Sequence, residues 1–305
     1  MTHRLLSLFA TLFVVGALAG CGKSSSTMGP TATGGATAQD QAQVAAAVAD
    51  NAAYIDEDAY ASTDQTEIGG GVGFAAIRPL HFWRTIESVD RRIETVFSNN
   101  DSLGRPTTAL VTIRKHVLGK FNILAGAIDE NDTTRTVLHK PLDDRWVRRL
   151  ALHRVRIDSS GTRQVWRVVG VSGVEVTSDA ATTNITSLRV QAGVVDTTIT
   201  NPLELHRLRR MLLVSGSQTM RLTATTGRND DVVVLYRHLG RRPFVNNGDG
   251  TYTAEFLLGD FPGLRHIGVN AFSHGTLYDD TAPYDSKAWI VGFAVRPGED
   301  HIPVL

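Results

Sequence analysis

Carboxylates set in turns are the residues whose grouping in this chain could do chemistry. Asp230 and Asp231 precede an apolar run, and Asp249 sits in the turn Asn246-Asn247-Gly248-Asp249-Gly250. Asp279, Asp280 and Asp285 follow His274 in a later connection. If the intervening runs are antiparallel strands of a sandwich, alternate connections fall at one end and these three loops meet there. Clustered carboxylates repel unless solvated, protonated or neutralised, and Ca²⁺ is the oxygen-seeking ion suited to neutralise them. Asp230, Asp231, Asp249, Asp279, Asp280 and Asp285 are therefore candidate Ca²⁺ ligands. Aspartate is also an ordinary turn residue, so each facing water alone accounts for the same pattern.

Other chemistry lacks its signatures. Gly170-Val171-Ser172-Gly173 has the wrong spacing for a nucleophile elbow and falls in an expected strand. The ten histidines are scattered without an H-E-x-x-H pair, and no phosphate-binding glycine loop occurs. An EF-hand reading around Asn247, Asp249 and Gly250 places Val245 and Phe256 at its first and twelfth positions, where ligands are needed. The expectation is a non-catalytic protein without a cofactor beyond the Ca²⁺ considered above. The alternative is a hydrolase whose site is assembled from dispersed residues.

Arg145, Arg148, Arg149, Arg154 and Arg156, with Arg207, Arg209 and Arg210, are the densest basic stretches. They read as solvated strand faces or as contacts for anionic envelope glycans and headgroups. Lys plus Arg and Asp plus Glu both number 31, so no net field argues for nucleic acid.

The elements that would position these residues divide into two regions. From residue 187 onward, short strands recur at regular spacing: 187–192, 211–216, 220–226, 232–238, 242–245, 251–258, 265–273 and 288–295. The stretch Asn247-Gly248-Asp249-Gly250-Thr251-Tyr252-Thr253, with Phe256 beyond it, resembles the turn and strand of filamin-type and other immunoglobulin-like modules. That resemblance implies an immunoglobulin-like β-sandwich over 187–305.

Residues 40–180 read as one helix followed by an antiparallel sheet. Asp40 and Gln43 have capping-box spacing, and Val44, Val48, Ala52, Ile55 and Ala59 recur at helical spacing over about 40–60. A glycine-rich stretch, Ile68 to Phe74, ends it. Period two then takes over. Trp83, Thr85, Val89, Ile93, Thr95 and Phe97 share one strand face. Val111, Ile113, Val117, Phe121 and Ile123 share another, opposite Thr112, Arg114, His116, Lys120 and Asn122. Residues 146–157 and 164–176 read as further strands, joined through Asp158 to Gly161. A helix before four long strands resembles a cystatin or NTF2-like roll; the alternative is a β-sandwich with the helix outside. The polar stretch Thr177 to Asn184 separates the regions, and the division predicts that 187–305 folds alone. The class is mainly β.

The N-terminus supplies an address. Arg4 precedes an apolar run, Leu5 to Leu18, that is shorter than the ~20 residues a membrane-spanning helix needs. Leu18-Ala19-Gly20-Cys21 resembles the lipobox of bacterial lipoproteins, and Cys21 is the only cysteine. The resemblance implies a signal peptide over 1–20, cleavage before Cys21, and acyl chains including palmitate on that residue. Gly22 stands where the inner-membrane retention signal of that family has Asp, so the outer membrane is favoured if the organism has two. Residues 21–39 are a Gly/Ser/Thr tether with a reach of roughly 20–25 Å. The expectation is a cell-envelope protein anchored to its membrane by lipid, with an envelope protein or glycan as partner.

Overall fold

The computed structural model describes residues 26–28, 35–51, 60, 63–68, 76–128, 133–157, 163–208, 211–237 and 240–296. The signal, Cys21, most of the tether, the expected helical positions Ala52, Ile55 and Ala59, and Arg209 and Arg210 lie outside that set.

The chain is mainly β. Strand β1 (Ser26–Met28), helix α1 (Ala38–Asp50) and β2 (Thr66–Glu67) precede four long strands. These are β3 (Arg78–Asn100), β4 (Pro106–Gly126), β5 (Arg135–Arg156) and β6 (Gln164–Ser178), paired in sequence as an antiparallel meander. Short strands follow: β7 (Ser187–Ala192), β8 (Val195–Ile199), β9 (His206–Arg207), β10 (Leu212–Ser215), β11 (Thr219–Thr225), β12 (Val232–Arg237), β13 (Gly240–Pro243), β14 (Val245–Asn246) and β15 (Thr251–Leu257). The order ends with β16 (Gly263–Phe272), the short helix α2 (His274–Tyr278) and β17 (Ser286–Arg296).

Helix α1 starts earlier than its expected cap. Thr37 is the N-cap: the Asp40 N–H donates to Thr37 Oγ1 at 3.2 Å, and the Thr37 N–H donates to Asp40 Oδ2 at 3.0 Å. Asp40 is thus the third helical residue of a capping box, replacing the expected Asp40–Gln43 pair. Its Oδ1 accepts from the Arg154 guanidinium and from Trp166 Nε1 at 3.2 Å, pinning the helix to β5 and β6. Val44, Ala47 and Val48 pack on Val111, Leu150, Leu152 and Trp166.

The face expected on β4 is buried as a set, from Val111 through Ile113, Val117 and Phe121 to Ile123. On β3 the expected face is split. The register shifts between Ile86 and Ser88, so Phe82, Arg84 and Ile86 turn toward the core before that point and Val89, Ile93 and Phe97 after it. Trp83 and Thr85 take the opposite face, because one extra residue reverses strand parity. Strand β5 begins eleven residues ahead of the expected 146. Pro141 hid that half, yet β6 pairs with β5 only from Asp144 onward, so the proline sits where, among the described residues, one side of β5 has no strand partner.

Two sheets pack face to face. The smaller has the order β14-β15-β11-β7-β8. Its Leu188, Val190, Leu222, Tyr252 and Phe256 share a core with Leu235, Val269, Trp289 and Phe293 of the larger sheet. The opposite face of β12, β16 and β17 carries Val234, Tyr236, Phe272 and Ile290, which pack with Phe82, Phe121, Trp146 and Val176 of the meander. Burial on both faces explains the unbroken apolar run Val232-Val233-Val234-Leu235-Tyr236. Residues 179–186 carry the chain from the larger sheet to the smaller one. The core does not divide there, because β17 returns to pair with β6, Ile290 opposite Val174 and Lys287 opposite Thr177.

Candidate functional site

The pairing of β17 with β6 lasts from Lys287 to Ile290 and then ends. Beyond it, β17 runs parallel to β10, with Phe293 opposite Leu212, while β6 turns to β9, with Val171 opposite His206. The larger sheet forks at this point. Gly173 sits in the crotch: a Cβ there would lie 2.6 Å from Ile290 O and 3.0 Å from Pro202 O. A bulge in β6 prepares the fork, since Arg148 faces Val174 and Leu150 faces Val171, leaving Ser172 and Gly173 unmatched. Ser172 Oγ accepts from the Arg149 N–H at 2.9 Å and donates to Gly173 O at 2.6 Å, which fixes the bulge.

Between the prongs lies a cavity of about 160 Å³. Val171, Ile199, Met211, Leu212 and Val291 supply its apolar wall, and Arg148, His206, His266 and Thr197 its polar part. No Asp or Glu lines it among the described residues. Gly292 keeps the space open, as a Cβ there would approach Met211 Cε at 3.1 Å and the His266 ring at 3.3 Å. Arg148 is 2% exposed. The set offers N–H and O–H donors against an apolar surface, the composition of a ligand site. The Ser172 hydroxyl is committed to backbone partners.

The arginines divide. Arg148 is buried, and Arg154 lies against Asp40 with its guanidinium 5.0 Å from the Trp166 ring centre. Arg145, Arg149, Arg156 and Arg207 are exposed, and Arg145 meets Asp179 at 2.8 Å.

The six aspartates proposed as Ca²⁺ ligands are partly gathered. The Thr226 N–H donates to Gly250 O at 3.0 Å, and the Tyr252 hydroxyl donates to Arg228 O at 2.7 Å, so the turns holding Asp230, Asp231 and Asp249 are neighbours. Arg228 occupies the cationic position among them. Its Nε donates to Asp230 Oδ1 at 3.2 Å and lies 3.6 Å from Asp231 Oδ1. Hydrogen bonding to Arg228 holds the Asp230 carboxyl below the usual range, whereas burial pushes Asp231 up. Asp249 and Asp279 accept from the N–H and hydroxyl groups of Thr251 and Thr281, local contacts that lower both. Asp280 is exposed. Asp285 is buried and accepts from Thr182, Thr183 and Ser178. Among the described residues, no three His, Cys, Asp or Glu side chains form a group able to hold a metal ion.

A second polar centre escaped the sequence pattern. Arg84 donates to the Tyr60 hydroxyl at 2.6 Å and the Tyr284 hydroxyl at 3.3 Å, and Tyr284 donates to Asp144 Oδ1 at 3.1 Å. Arg84 and Asp144 are 4% and 1% exposed. Burial pushes the Asp144 carboxyl up, and Arg84 opposes that. On β5, Lys140, Leu142, Asp144, Trp146, Arg148, Leu150 and Leu152 all face inward. Parity counted from Trp146, Leu150 and Leu152 would have placed the three charged residues on the core face.

No protein-family model matches the chain, and no curated protein matches it. Among solved structures, it is similar to the SMP domain and tandem C2 domains of extended synaptotagmin 2, at 10% identity over 84% of this chain and 67% of that one, with a TM-score of 0.16. A likeness at that score carries no argument about fold or function.

Proposed function

We propose that this chain is a lipid-anchored cell-envelope protein with a non-catalytic binding role, cut before Cys21. The observation that carries the address is the apolar run Leu5–Leu18 leading into Leu18-Ala19-Gly20-Cys21. Two or more acyl chains hold a protein firmly at a membrane, each buried CH₂ contributing about 0.8 kcal/mol. The outer membrane is the favoured site where two exist, and an envelope protein or glycan remains a partner class alongside a small ligand at the fork. In this reading the helix and meander form a cystatin or NTF2-like roll, supported by the packing of α1 on the sheet. The two facing sheets form an immunoglobulin-like sandwich, supported by the turn before Thr251.

Binding is favoured over hydrolysis because the fork cavity presents donors on an apolar wall, while its serine is engaged with the backbone. Calcium is left out because Arg228 already supplies positive charge to Asp230 and Asp231. The anchor is tested by fractionating cells that express the chain and its Cys21→Ser variant. The wild type should sediment with membranes and carry acyl mass on Cys21, and the variant should be released or remain an uncut precursor. An unmodified Cys21 in the mature protein would overturn the reading.

A further inference from the structure

We infer that Arg237 and Arg242 form a binding site for a phosphate monoester, carried by a lipid headgroup or by a soluble molecule. The site is separate from the fork cavity and independent of the anchor. Register places the two together. β12 and β13 pair with Leu235 opposite Arg242 and Arg237 opposite Gly240. The arginines are therefore diagonal neighbours on one face of the hairpin, a separation that long side chains span. Leu235 belongs to the core between the sheets, so this is the inward face, at the margin where β13 ends the larger sheet. Phe256 of the smaller sheet holds one of the pair, with the Arg237 guanidinium carbon 4.6 Å from its ring centre.

Both side chains are half-buried. Arg237 Nε and Arg242 Nε and Nη2 are buried without a hydrogen-bond partner among the described residues. The remaining nitrogens, Arg237 Nη1 and Nη2 and Arg242 Nη1, reach solvent, which opens the pair to a ligand. Other guanidiniums are answered by carboxylates, Arg154 by Asp40 and Arg228 by Asp230 and Asp231. Arg237 instead meets a second cation. Burial lowers its pKa and the charge of Arg242 lowers it further, with no carboxylate among the described residues drawing it back. Like charges drawn partly out of water are costly unless an anion neutralises them. A phosphate monoester brings about −1.5 to −2 of charge and three acceptor oxygens, and a planar guanidinium meets such oxygens through parallel N–H groups. A carboxylate brings one charge for two cations.

Inorganic phosphate is the first probe, titrated at mildly alkaline pH and constant ionic strength into the detergent-solubilised full-length protein, with empty micelles as blank. A saturable rise in Tm is expected, and acetate should bind about tenfold more weakly. Arg242→Met keeps the apolar stem and removes the charge. It should weaken phosphate binding about tenfold, yet raise Tm in phosphate-free buffer by relieving the repulsion. An arginine with a purely structural role would not couple lost binding to gained stability. Arg242→Lys keeps the charge without the planar fork, and should weaken binding by a smaller factor. Glycerol 3-phosphate and dihexanoyl phosphatidic acid share a phosphate monoester and distinguish its sources. Equal affinity assigns a soluble ligand, tighter binding of the lipid assigns a headgroup, and both support the site. Three results would overturn it: phosphate binding unchanged in Arg242→Met, no saturable effect of phosphate beyond that of acetate, or a lower Tm of Arg242→Met without phosphate. Each of them leaves the anchor and the fork as they stand.

Discussion

The two large cores of this protein meet on opposite faces of the same strands, yet they are built on different terms. Between the sheets, β12, β16 and β17 present Leu235, Val269 and Phe293 to Leu222, Val190 and Phe256. Area removed from water carries that core, at about 25 cal/mol per Å² of apolar surface. On the other face, Tyr236, Phe272 and Ile290 meet a meander that brings Arg84 and Asp144 inward. Charges at such depth are tolerated only with their partners in place. The Tyr284 hydroxyl bridges the two, and the Tyr60 hydroxyl is a second acceptor for Arg84. One core tolerates changes that keep volume; the other depends on particular atoms.

The sharpest way to break the comparison is to cut the chain between the regions. Residues 187–305 alone keep both sheets of the sandwich but lose β6 as the partner of β17. They also lose Phe82, Phe121 and Trp146 as cover for Phe272, Tyr284 and Ile290. We expect the fragment to lack a cooperative thermal transition and near-ultraviolet circular dichroism, in contrast to the full chain. A cooperative transition in the fragment would show that the apolar core suffices and that the charged core is an addition to it.

Next in size is the charged centre itself. Arg84→Met leaves Asp144 buried without its cation, and breaking a buried pair in this way costs about 3–5 kcal/mol. Asp144 has a folded pKa raised by burial. Its share of stability is therefore full below the ordinary carboxylate pKa and is lost as pH rises through the raised folded value. Without Arg84 the value rises further, so the variant should be most destabilised near neutrality and recover in mild acid, where Asp144 takes up a proton. Arg84→Met with Asp144→Leu should recover much of the loss at neutral pH, read by denaturant unfolding. A pH-independent loss would mean that packing around Arg84, not charge, sets the cost.

The same contrast decides what could be read from the residues alone. Strands with a clean apolar alternation, such as β11 and β15, were legible to within a residue or two, and the buried face of β4 was legible though its ends were not. So was the proximity of the turns holding Asp230 and Asp249. What escaped was charge on inward faces. Lys140, Asp144 and Arg148 interrupt the alternation of β5, and Pro141 reads as a break, although both flanks of the strand have definite parity. The bulges at Ile86–Ser88 and Ser172–Gly173 each reverse or offset parity without a mark in composition. The fork cavity was invisible for a further reason: its walls come from several strands that meet only when β17 closes on β6. Arg228, two residues before Asp230, was the overlooked signal at the acidic turns.

The smallest expected effect concerns the tie between the two regions. Lys140, on β5 of the meander, donates from Nζ to Gly275 O at 3.0 Å and to Asp279 O at 2.6 Å, around the last turn of α2. It is 4% exposed. Burial pushes its pKa down to about 8, with Asp279 and Asp280 drawing it partly back. In the unfolded chain the group titrates near 10.5, so between these values the unfolded state holds a proton that the folded state has released. By linkage, Lys140 adds stability that is full above the unfolded value and is lost as pH falls through about 8. Replacing it with Met removes the titration and the two hydrogen bonds together. The stability difference between wild type and Lys140→Met should therefore grow from about pH 8 toward 10.5 and be flat on the acid side. Chemical denaturation at closely spaced pH values measures this, and tyrosine ionisation, common to both proteins, cancels in the difference. A difference that stays constant through the window would mean that Lys140 keeps an ordinary pKa, and that the contact joining the meander to α2 is wet.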